Sequence, residues 1–240
     1  MAVRIILVGT THPGNIGAVA RGMKNMGIND LRLVNPLYFP HEDATARASG
    51  AEDILASASV VDTLDQALAD CVFAAGASAR LRAIDWPSMQ PRECAGRLVQ
   101  ENARGNVAIV FGPEKSGLTN EDLDRCNTLL TIPTEPTFSS LNIAMAVQIM
   151  CYELRLLQHS MPEPSEPDVP AATAEEFEYF YNHLETVLTD SGFLDPESPR
   201  LLMRRLRRLF VKAEPDKNEI NILRGILTAL EPTKDKGNDK

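Results

Sequence analysis

The order of apolar segments along residues 1–158 restricts the fold more than any other feature of this sequence. Six short runs rich in Val, Ile, Leu and Ala are separated by stretches in which apolar residues recur at helical spacing. The predicted strands are residues 3–8, 31–34, 59–61, 71–75, 107–111 and 129–132. Several of these runs are apolar on both faces, which is typical of parallel strands covered by helices on two sides.

Helical patterns occupy the intervals between these strands. The predicted helices are residues 15–26, 63–69, 92–103 and 120–126, followed by a long apolar segment at 139–157. Alternation of strands and helices predicts an α/β fold built on a parallel sheet.

A proline-rich segment interrupts the pattern after residue 160. Residues 161–170, MPEPSEPDVP, contain four prolines and three acids, which excludes a regular helix or strand. We therefore expect an α/β domain of residues 1–160, a linker of residues 161–172 and a small helical domain of residues 173–240.

The helical domain is predicted to contain three helices. Thr173 and Glu176 have capping-box spacing, and Ser198 before Pro199 has the form of a second helix start. A third apolar stripe follows at residues 220–230. The charged residues after Pro232 are expected to form a disordered tail.

Composition narrows the function classes. The chain has 24 Lys and Arg against 33 Asp and Glu, and no apolar run of the length that spans a membrane. The first residues enter a predicted strand without a secretory signal pattern, so we expect a cytoplasmic protein. The four cysteines form no CxxC pair and the four histidines have no partner spacing, so we expect no metal site.

The loop after the first strand has glycines but neither of the common nucleotide-binding spacings. Residues 8–21 read VGTTHPGNIGAVAR, which is neither GxGxxG nor GxxxxGK[ST]. A nicotinamide-dependent oxidoreductase on a Rossmann sheet is therefore a weak alternative. By pattern alone, Asn15 is interpreted as a helix cap and Arg21 as a solvated helix residue.

Three further strands also end in loops suited to ligand binding. Residues 110–118, VFGPEKSGL, contain two glycines, and residues 75–80, AGASAR, end another strand. Residues 132–142 pass through two prolines to Ser139 and Ser140, one of which is expected to cap the long helix. The carboxyl ends of parallel strands meet at one sheet edge, so all four loops should converge.

The motifs NIGAVAR, VFGPEKSGL and IPTEPTFSSLNIAMAV occur in the order and spacing of the SPOUT, or trefoil-knot, RNA methyltransferases. With GASAR and the later segments RRLRRLF and NILRGIL, the chain most resembles the bacterial tRNA 2′-O-methyltransferases of that family. The resemblance implies a parallel sheet with a C-terminal trefoil knot, an S-adenosylmethionine cofactor and a homodimer. It also implies tRNA as substrate, with the 2′-hydroxyl of nucleotide 32 in the anticodon loop as acceptor.

The resemblance assigns roles to individual residues. Arg21, Ser140 and Asn15 are the expected catalytic residues, with Arg21 orienting the ribose or pairing with a phosphate because a guanidinium rarely loses its proton. The expected cofactor-binding residues are Ala77, Ser78, Ala79, Gly112, Glu114, Gly117, Leu118, Ile132, Ser139, Ser140, Leu141 and Asn142. The dimer surface is expected on the first motif helix and on the long helix.

A cluster of basic residues indicates an anionic partner. Ten acids and no Lys or Arg occupy residues 161–199, and the next thirteen positions carry six basic residues and no acid. We expect these residues, together with two arginines of the fourth loop, to bind RNA: Arg80, Arg82, Arg200, Arg204, Arg205, Arg207, Arg208 and Lys212. A solvated helix face is the simpler interpretation, and a noncatalytic RNA-binding adaptor is an alternative function.

Overall fold

A computed structural model describes residues 3–78, 86–158 and 169–231. Its strands are β1 (Val3–Val8), β2 (Asp30–Val34), β3 (Ser59–Val61), β4 (Cys71–Ala77), β5 (Ser88–Met89), β6 (Asn106–Phe111) and β7 (Thr128–Leu130). Its helices are α1 (Pro13–Asn25), α2 (Glu42–Ala48), α3 (Glu52–Ser57), α4 (Leu64–Leu68), α5 (Pro91–Asn102), α6 (Asn120–Asp124), α7 (Ile143–Gln158), α8 (Ala174–Asp190), α9 (Leu202–Ala213) and α10 (Lys217–Leu230).

The described strands form a single parallel sheet in the order β3-β2-β1-β6-β4-β7-β5. The predicted α/β fold with a parallel sheet is thus confirmed. Because β1, β6, β4 and β7 are neighbours, the loops that follow them lie side by side at the carboxyl edge.

Alternation along the central strands divides the core between the two faces of the sheet. Ile5 and Leu7 are buried in a cluster with α1, α5 and α7, whereas Ile6 is buried in a second cluster with α4 and α6. Successive strand residues point to opposite faces, so an apolar run such as VRIILV supplies both clusters at once.

The helical domain has its own apolar cluster. Phe180, Tyr181 and Ile220 are buried there, and the Thr173–Glu176 capping box is present at the start of α8. Two details of the sequence prediction were wrong. Helix α9 begins at Leu202 rather than at Ser198, and Asn15 does not cap α1, because that helix begins at Pro13, after His12.

The end of the linker packs with the helical domain. Ala171 and Ala172 are buried, and Ala171 forms an isolated antiparallel bridge with Asp216 just before α10. Residues 159–168 and the tail after residue 231 lie outside the described residues, so the predicted extended linker and disordered tail remain predictions. No helix among the described residues is long and apolar enough to cross a membrane.

Three short elements were not predicted. Helices α2 and α3 lie in the interval between β2 and β3, and β5 consists of Ser88 and Met89 alone. Helix α2, with the sequence EDATARA, buries only Ala44 and Ala48, so its apolar stripe consists of two small residues. Such a stripe is too weak to be recognised as an amphipathic pattern.

Helix α2 packs closely against α1 at Gly17, the second glycine of the GNIG segment. A Cβ atom at Gly17 would lie 2.0 Å from the carbonyl oxygen of Ala44, and backbone cannot move aside as a flexible side chain can. At Gly14 the nearest heavy atom would be Cγ of Arg47, at 3.5 Å, which is an ordinary contact.

We predict that Gly17→Ala lowers the free energy of unfolding by about 3 kcal/mol, because the two helices must separate to admit the methyl group. Gly14→Ala is the matched control, and its effect should stay below about 1 kcal/mol. Chemical denaturation of both variants checks this. Equal stability of the two proteins would contradict the close approach at Gly17.

Candidate active site

A cavity of about 340 Å³ lies at the carboxyl edge of the sheet, where the loops after β4, β6 and β7 meet. Its size falls within the range of small-molecule sites. The walls combine apolar side chains with hydroxyl groups and exposed loop backbone. The lining residues are Ala77, Ser78, Phe111, Gly112, Pro113, Glu114, Lys115, Ser116, Gly117, Leu118, Leu130, Ile132, Ser139, Ser140, Leu141, Ile143 and Ala146.

Most of the predicted cofactor-binding residues meet in this cavity. Those that line it are Ala77, Ser78, Gly112, Glu114, Gly117, Leu118, Ile132, Ser139, Ser140 and Leu141. Asn142 is absent from the lining but is connected to it by hydrogen bonds described below. Ala79, and the predicted RNA-binding residues Arg80 and Arg82, lie outside the described residues.

The sequence prediction missed some of the wall. Phe111 and Leu130 end β6 and β7, and Ile143 and Ala146 belong to the first turn of α7. Their signal in the sequence was their position at strand ends and at a helix start. Apolar residues at such positions are also typical core residues, so the pattern does not distinguish a pocket wall from the core.

The loop after β6 is folded tightly on itself. A Cβ atom at Gly112 would lie 2.3 Å from the backbone nitrogen of Leu118 and 2.4 Å from the carbonyl carbon of Gly117. Gly117 has a φ of 67° and donates its N–H to the carbonyl of Pro113 over 2.8 Å. Glycine is required at both positions, and the loop backbone is held against the cavity as a result.

Glu114 connects this loop to the loop after β1. Its Oε2 accepts hydrogen bonds from the backbone N–H and the hydroxyl of Thr11, at 3.1 and 3.0 Å. Its Oε1 accepts from Nδ2 of Asn15 at 2.9 Å. Asn15 Oδ1 in turn accepts from Nδ2 of Asn142 at 3.1 Å, which brings in the segment before α7. One carboxylate thus ties together all three motifs identified in the sequence.

The same contacts keep Glu114 ionised. Partial burial raises the pKa of this carboxyl, but hydrogen bonds from Asn15, from its own backbone and from Thr11 outweigh that effect, and the net pKa lies below the usual value. A carboxylate can accept from all these donors only in its charged form. The network therefore depends on a negative charge at Glu114.

The start of α7 differs from the prediction. Neither Ser139 nor Ser140 caps the helix, because α7 begins at Ile143. Asn142 caps it instead, since its Oδ1 accepts from the backbone N–H of Ala144 at 2.9 Å. The two serines lie outside the helix, where both line the cavity and neither hydroxyl is engaged in capping.

Arg21 lies on α1 two turns after Asn15. Its side chain is exposed and has no ion-pair partner among the described residues. Arg21 is not part of the cavity wall, so it is available to a molecule that approaches from outside.

Two arginines of α9, the predicted RNA-binding helix, form ion pairs within the protein. Arg204 pairs with Asp124 of α6 at 2.7 Å. Arg207 pairs with Glu178 of α8 and lies over the ring of Tyr181, 4.3 Å from its centre. Arg200, Arg205, Arg208 and Lys212 complete the basic set; Arg200 precedes α9 and has a positive φ of 50°.

Metal-ligating residues do not cluster in the described part of the chain, where no group of three His, Cys, Asp or Glu side chains could hold an ion. The four cysteines are buried as free thiols. The polar side chains that line the cavity are the serine hydroxyls, the carboxylate of Glu114 and the ammonium group of Lys115.

Comparison with protein families matches the two parts of the chain separately. Residues 2–152 match the SpoU rRNA methylase family. Residues 175–239 match the C-terminal domain of the tRNA methyltransferase TrmJ.

Individual relatives are similar over nearly the whole length. The tRNA (cytidine/uridine-2′-O-)-methyltransferase TrmJ of Photorhabdus laumondii is 50% identical, covering 95% of this chain and 96% of the relative. The tRNA (cytidine/uridine/adenosine-2′-O-)-methyltransferase TrmJ of Pseudomonas aeruginosa is 53% identical, covering 94% and 92%. The crystal structure of TrmJ from Z. mobilis ZM4 superposes with a TM-score of 0.85 at 37% identity, covering 97% of this chain and all of that one.

We predict that Glu114→Gln lowers the free energy of unfolding by about 1–3 kcal/mol near pH 7, because the new amide N–H group faces a donor. The folded-state pKa of Glu114 is depressed, so its stabilisation is present above the unfolded-state pKa and is lost as pH falls through the folded-state pKa. The difference between wild type and variant should therefore narrow below about pH 4. Thermal unfolding across pH measures this.

Glu121→Gln is the control for this prediction. Glu121 is exposed on α6, and its side chain has no hydrogen-bond partner among the described residues. A Glu114 variant whose stability and pH profile match those of the control would show that the network contributes nothing.

Proposed function

We propose that this chain, which belongs to the SpoU methylase family and to its TrmJ group of tRNA 2′-O-methyltransferases, methylates the ribose of nucleotide 32 in the anticodon loop. The methyl donor is S-adenosylmethionine. The enzyme acts where tRNA is found, in the cytoplasm. The observation that carries the proposal is the cavity bounded by the loops after β4, β6 and β7, of which the β6 loop is hydrogen-bonded to the first motif through Glu114.

The cavity suits an adenosyl group that carries a charged sulfonium. Phe111, Leu118, Leu130 and Ile132 give apolar walls for a planar base. The tight loop after β6 presents backbone groups at its rim, because any Cβ atom at Gly112 would clash. Bound S-adenosylmethionine would supply an electrophilic methyl group at this edge of the sheet.

In this proposal the chain accelerates methyl transfer mainly by positioning the acceptor hydroxyl next to the methyl group. A ribose 2′-hydroxyl is a poor nucleophile, so its oxygen must be held in line with the methyl group and its developing charge must be stabilised. We assign Arg21 to the ribose or to an adjacent phosphate, because a guanidinium retains its proton and donates up to five hydrogen bonds. Ser140, whose hydroxyl has no capping role, is assigned to orient the acceptor hydroxyl. Asn15 donates a hydrogen bond to Glu114 and accepts one from Asn142, and it thereby fixes the positions of their two loops relative to each other.

Recognition of tRNA is assigned to the fourth loop and the basic helix. Arg80 and Arg82 follow the cavity residue Ser78 in sequence, and we assign them to contacts with the RNA. Arg205 and Lys212 on α9 have no ion-pair partner among the described residues and are suited to phosphate contacts. The relatives differ in the nucleosides that they methylate, with adenosine added for the Pseudomonas enzyme.

A homodimer is part of this proposal. Met145, Tyr152 and Leu156 recur along one face of α7 and are 64%, 50% and 39% exposed. Side chains at this spacing form a single apolar stripe that no described residue covers. We assign the stripe, with the neighbouring surface of α1, to contact with a second copy of the chain.

A C-terminal trefoil knot is also proposed. The supporting observation is the path of the chain from β7 to α7. Strand β7 lies between β4 and β5, and α7 packs against α1 and α5 on one face of the sheet. The segment at 131–142 that joins them passes the loops after β4 and β6 at the cavity.

The experiment that tests the activity is mass-spectrometric mapping of ribose methylation after unmodified total tRNA is incubated with the enzyme and S-adenosylmethionine. A methyl group at nucleotide 32 supports the proposal. Tight tRNA binding without any methylation would instead favour the noncatalytic RNA-binding adaptor.

We predict that Arg21→Ala lowers kcat for methyl transfer by at least about 100-fold while the Kd for S-adenosylmethionine changes less than about threefold. The reason is that Arg21 lies outside the cavity wall. Arg47→Ala, which removes another exposed helix arginine, is the control and should leave both quantities unchanged. If calorimetry showed that Arg21→Ala loses cofactor binding together with activity, Arg21 would not be a residue that contacts only the acceptor.

We also predict that Met145→Glu converts the dimer to a monomer at micromolar concentration, because a charge at the most exposed residue of the stripe must be desolvated on association. Val60→Glu, at a residue 54% exposed on β3, is the matched control and should remain dimeric. Sedimentation velocity distinguishes the two states. A dimeric Met145→Glu protein would place the interface elsewhere.

A further inference from the structure

Helix α9 is joined to the α/β domain by ion pairs at both ends. Near its start, Arg204 pairs with Asp124 at 2.7 Å, and the two side chains are only 15% and 21% exposed. Just past its end, Glu214 pairs with Arg97 of α5. These contacts fix the helical domain against α5 and α6 while α9 packs on α8 through Met203, Leu206 and Phe210.

Apolar packing between the two domains is sparse. Among the described residues of the helical domain, Ala174 and Val211 are those that pack against the cluster beneath α4 and α6. Two open clefts, of about 500 and 400 Å³, are lined by residues of both domains, and Val211 lines both of them. Ion pairs therefore supply a large part of the contact between the domains, as in interfaces that open.

Arg204 has one partner in the structure and another in the proposed complex with tRNA. In the structure its Nε donates to a carboxylate of the α/β domain, yet it is one of the arginines of the proposed RNA-binding helix. The Arg204 side chain is only 15% exposed in this position, so it must leave Asp124 to become accessible to a tRNA phosphate. Arg205, the next residue, is on the solvent side and has no such contact in the described part of the chain.

We propose that the Arg204–Asp124 pair is an electrostatic latch, which holds the helical domain against the α/β domain until a tRNA phosphate replaces Asp124 as the partner of Arg204. This inference rests on the proposed function, in which α9 binds tRNA. The latch makes the docked enzyme a weaker tRNA binder than the undocked one. If about nine-tenths of the molecules are docked, the apparent Kd for tRNA is raised about tenfold.

The latch is tested in the full-length protein with Asp124→Asn, which removes the acceptor charge and leaves Arg204 in place. Glu121→Gln, on the same helix, removes an equal charge that pairs with no side chain among the described residues. We expect the Kd for unmodified tRNA to fall at least about threefold more in Asp124→Asn than in Glu121→Gln. Arg204→Ala should bind tRNA less tightly than Asp124→Asn, because it loses both the latch and the phosphate contact.

A second measurement follows docking without RNA. Val211→Cys introduces a thiol that is half-buried between the domains, while the four native cysteines are buried. We expect its rate of alkylation, measured without tRNA, to rise at least about fivefold when Asp124→Asn is added and to stay unchanged with Glu121→Gln. Raising the salt concentration should increase the alkylation rate in the same direction but by less than Asp124→Asn does, since a mostly buried ion pair is only partly screened.

The two measurements separate the latch from the proposed function. Equal alkylation rates in the Asp124→Asn and Glu121→Gln backgrounds would show that the pair does not hold the domains, and would overturn the latch whatever the tRNA affinity. Alkylation could instead become faster while neither Asp124→Asn nor Arg204→Ala changes the tRNA affinity. That result would show that α9 does not bind tRNA, and so that tRNA does not release the latch. Methylation of nucleotide 32 is assayed independently of both.

Discussion

The carboxylate of Glu114 is the contact on which the cavity depends. It lies in a loop after one strand and accepts from Thr11 and Asn15, which belong to the loop after the neighbouring strand. Through Asn15 it also reaches Asn142, the residue that caps α7. One charge thereby holds three segments together, and the first of them lies 99 residues before Glu114 and 127 residues before Asn142 in the chain. Without these hydrogen bonds the loops would have few contacts that fix their shape.

The glycines of the motifs have a separate, steric role. At Gly112 the backbone of the same loop leaves no room for a Cβ atom, and at Gly17 the backbone of α2 leaves none. The first glycine shapes the cavity rim and the second sets how closely α1 approaches its neighbour. A motif that resembles a ligand-binding sequence therefore contains residues selected by packing, and ligand contact need not be invoked for each one.

The sequence predicted the parallel sheet because its strands are apolar on both faces, and each predicted strand was found within a few residues of its expected bounds. It could not predict α2, since Ala44 and Ala48 bury too little surface to give a periodic signal. It placed the start of α7 at the serines, because hydroxyl residues are common caps, whereas the amide of Asn142 takes that role. The loops converge as expected, but the hydrogen bonds between them could not be read from spacing, because they join residues distant in sequence.

Helix α9 shows why the pattern of charges along a sequence is not enough to identify a binding surface. The absence of acids near Arg204 and Arg207 suggested an external anion, but Asp124 and Glu178 reach them from other elements. Glu178 belongs to the same small domain and stabilises its fold, whereas Asp124 belongs to the other domain and restrains how the two domains sit. Breaking the Arg207–Glu178 pair would leave two mostly buried charges unpaired inside the small domain, whereas in the proposed latch Arg204 exchanges the Asp124 carboxylate for a phosphate when the domains separate. The distinction between a structural arginine and one that can bind RNA thus depends on which side of the domain boundary supplies its partner.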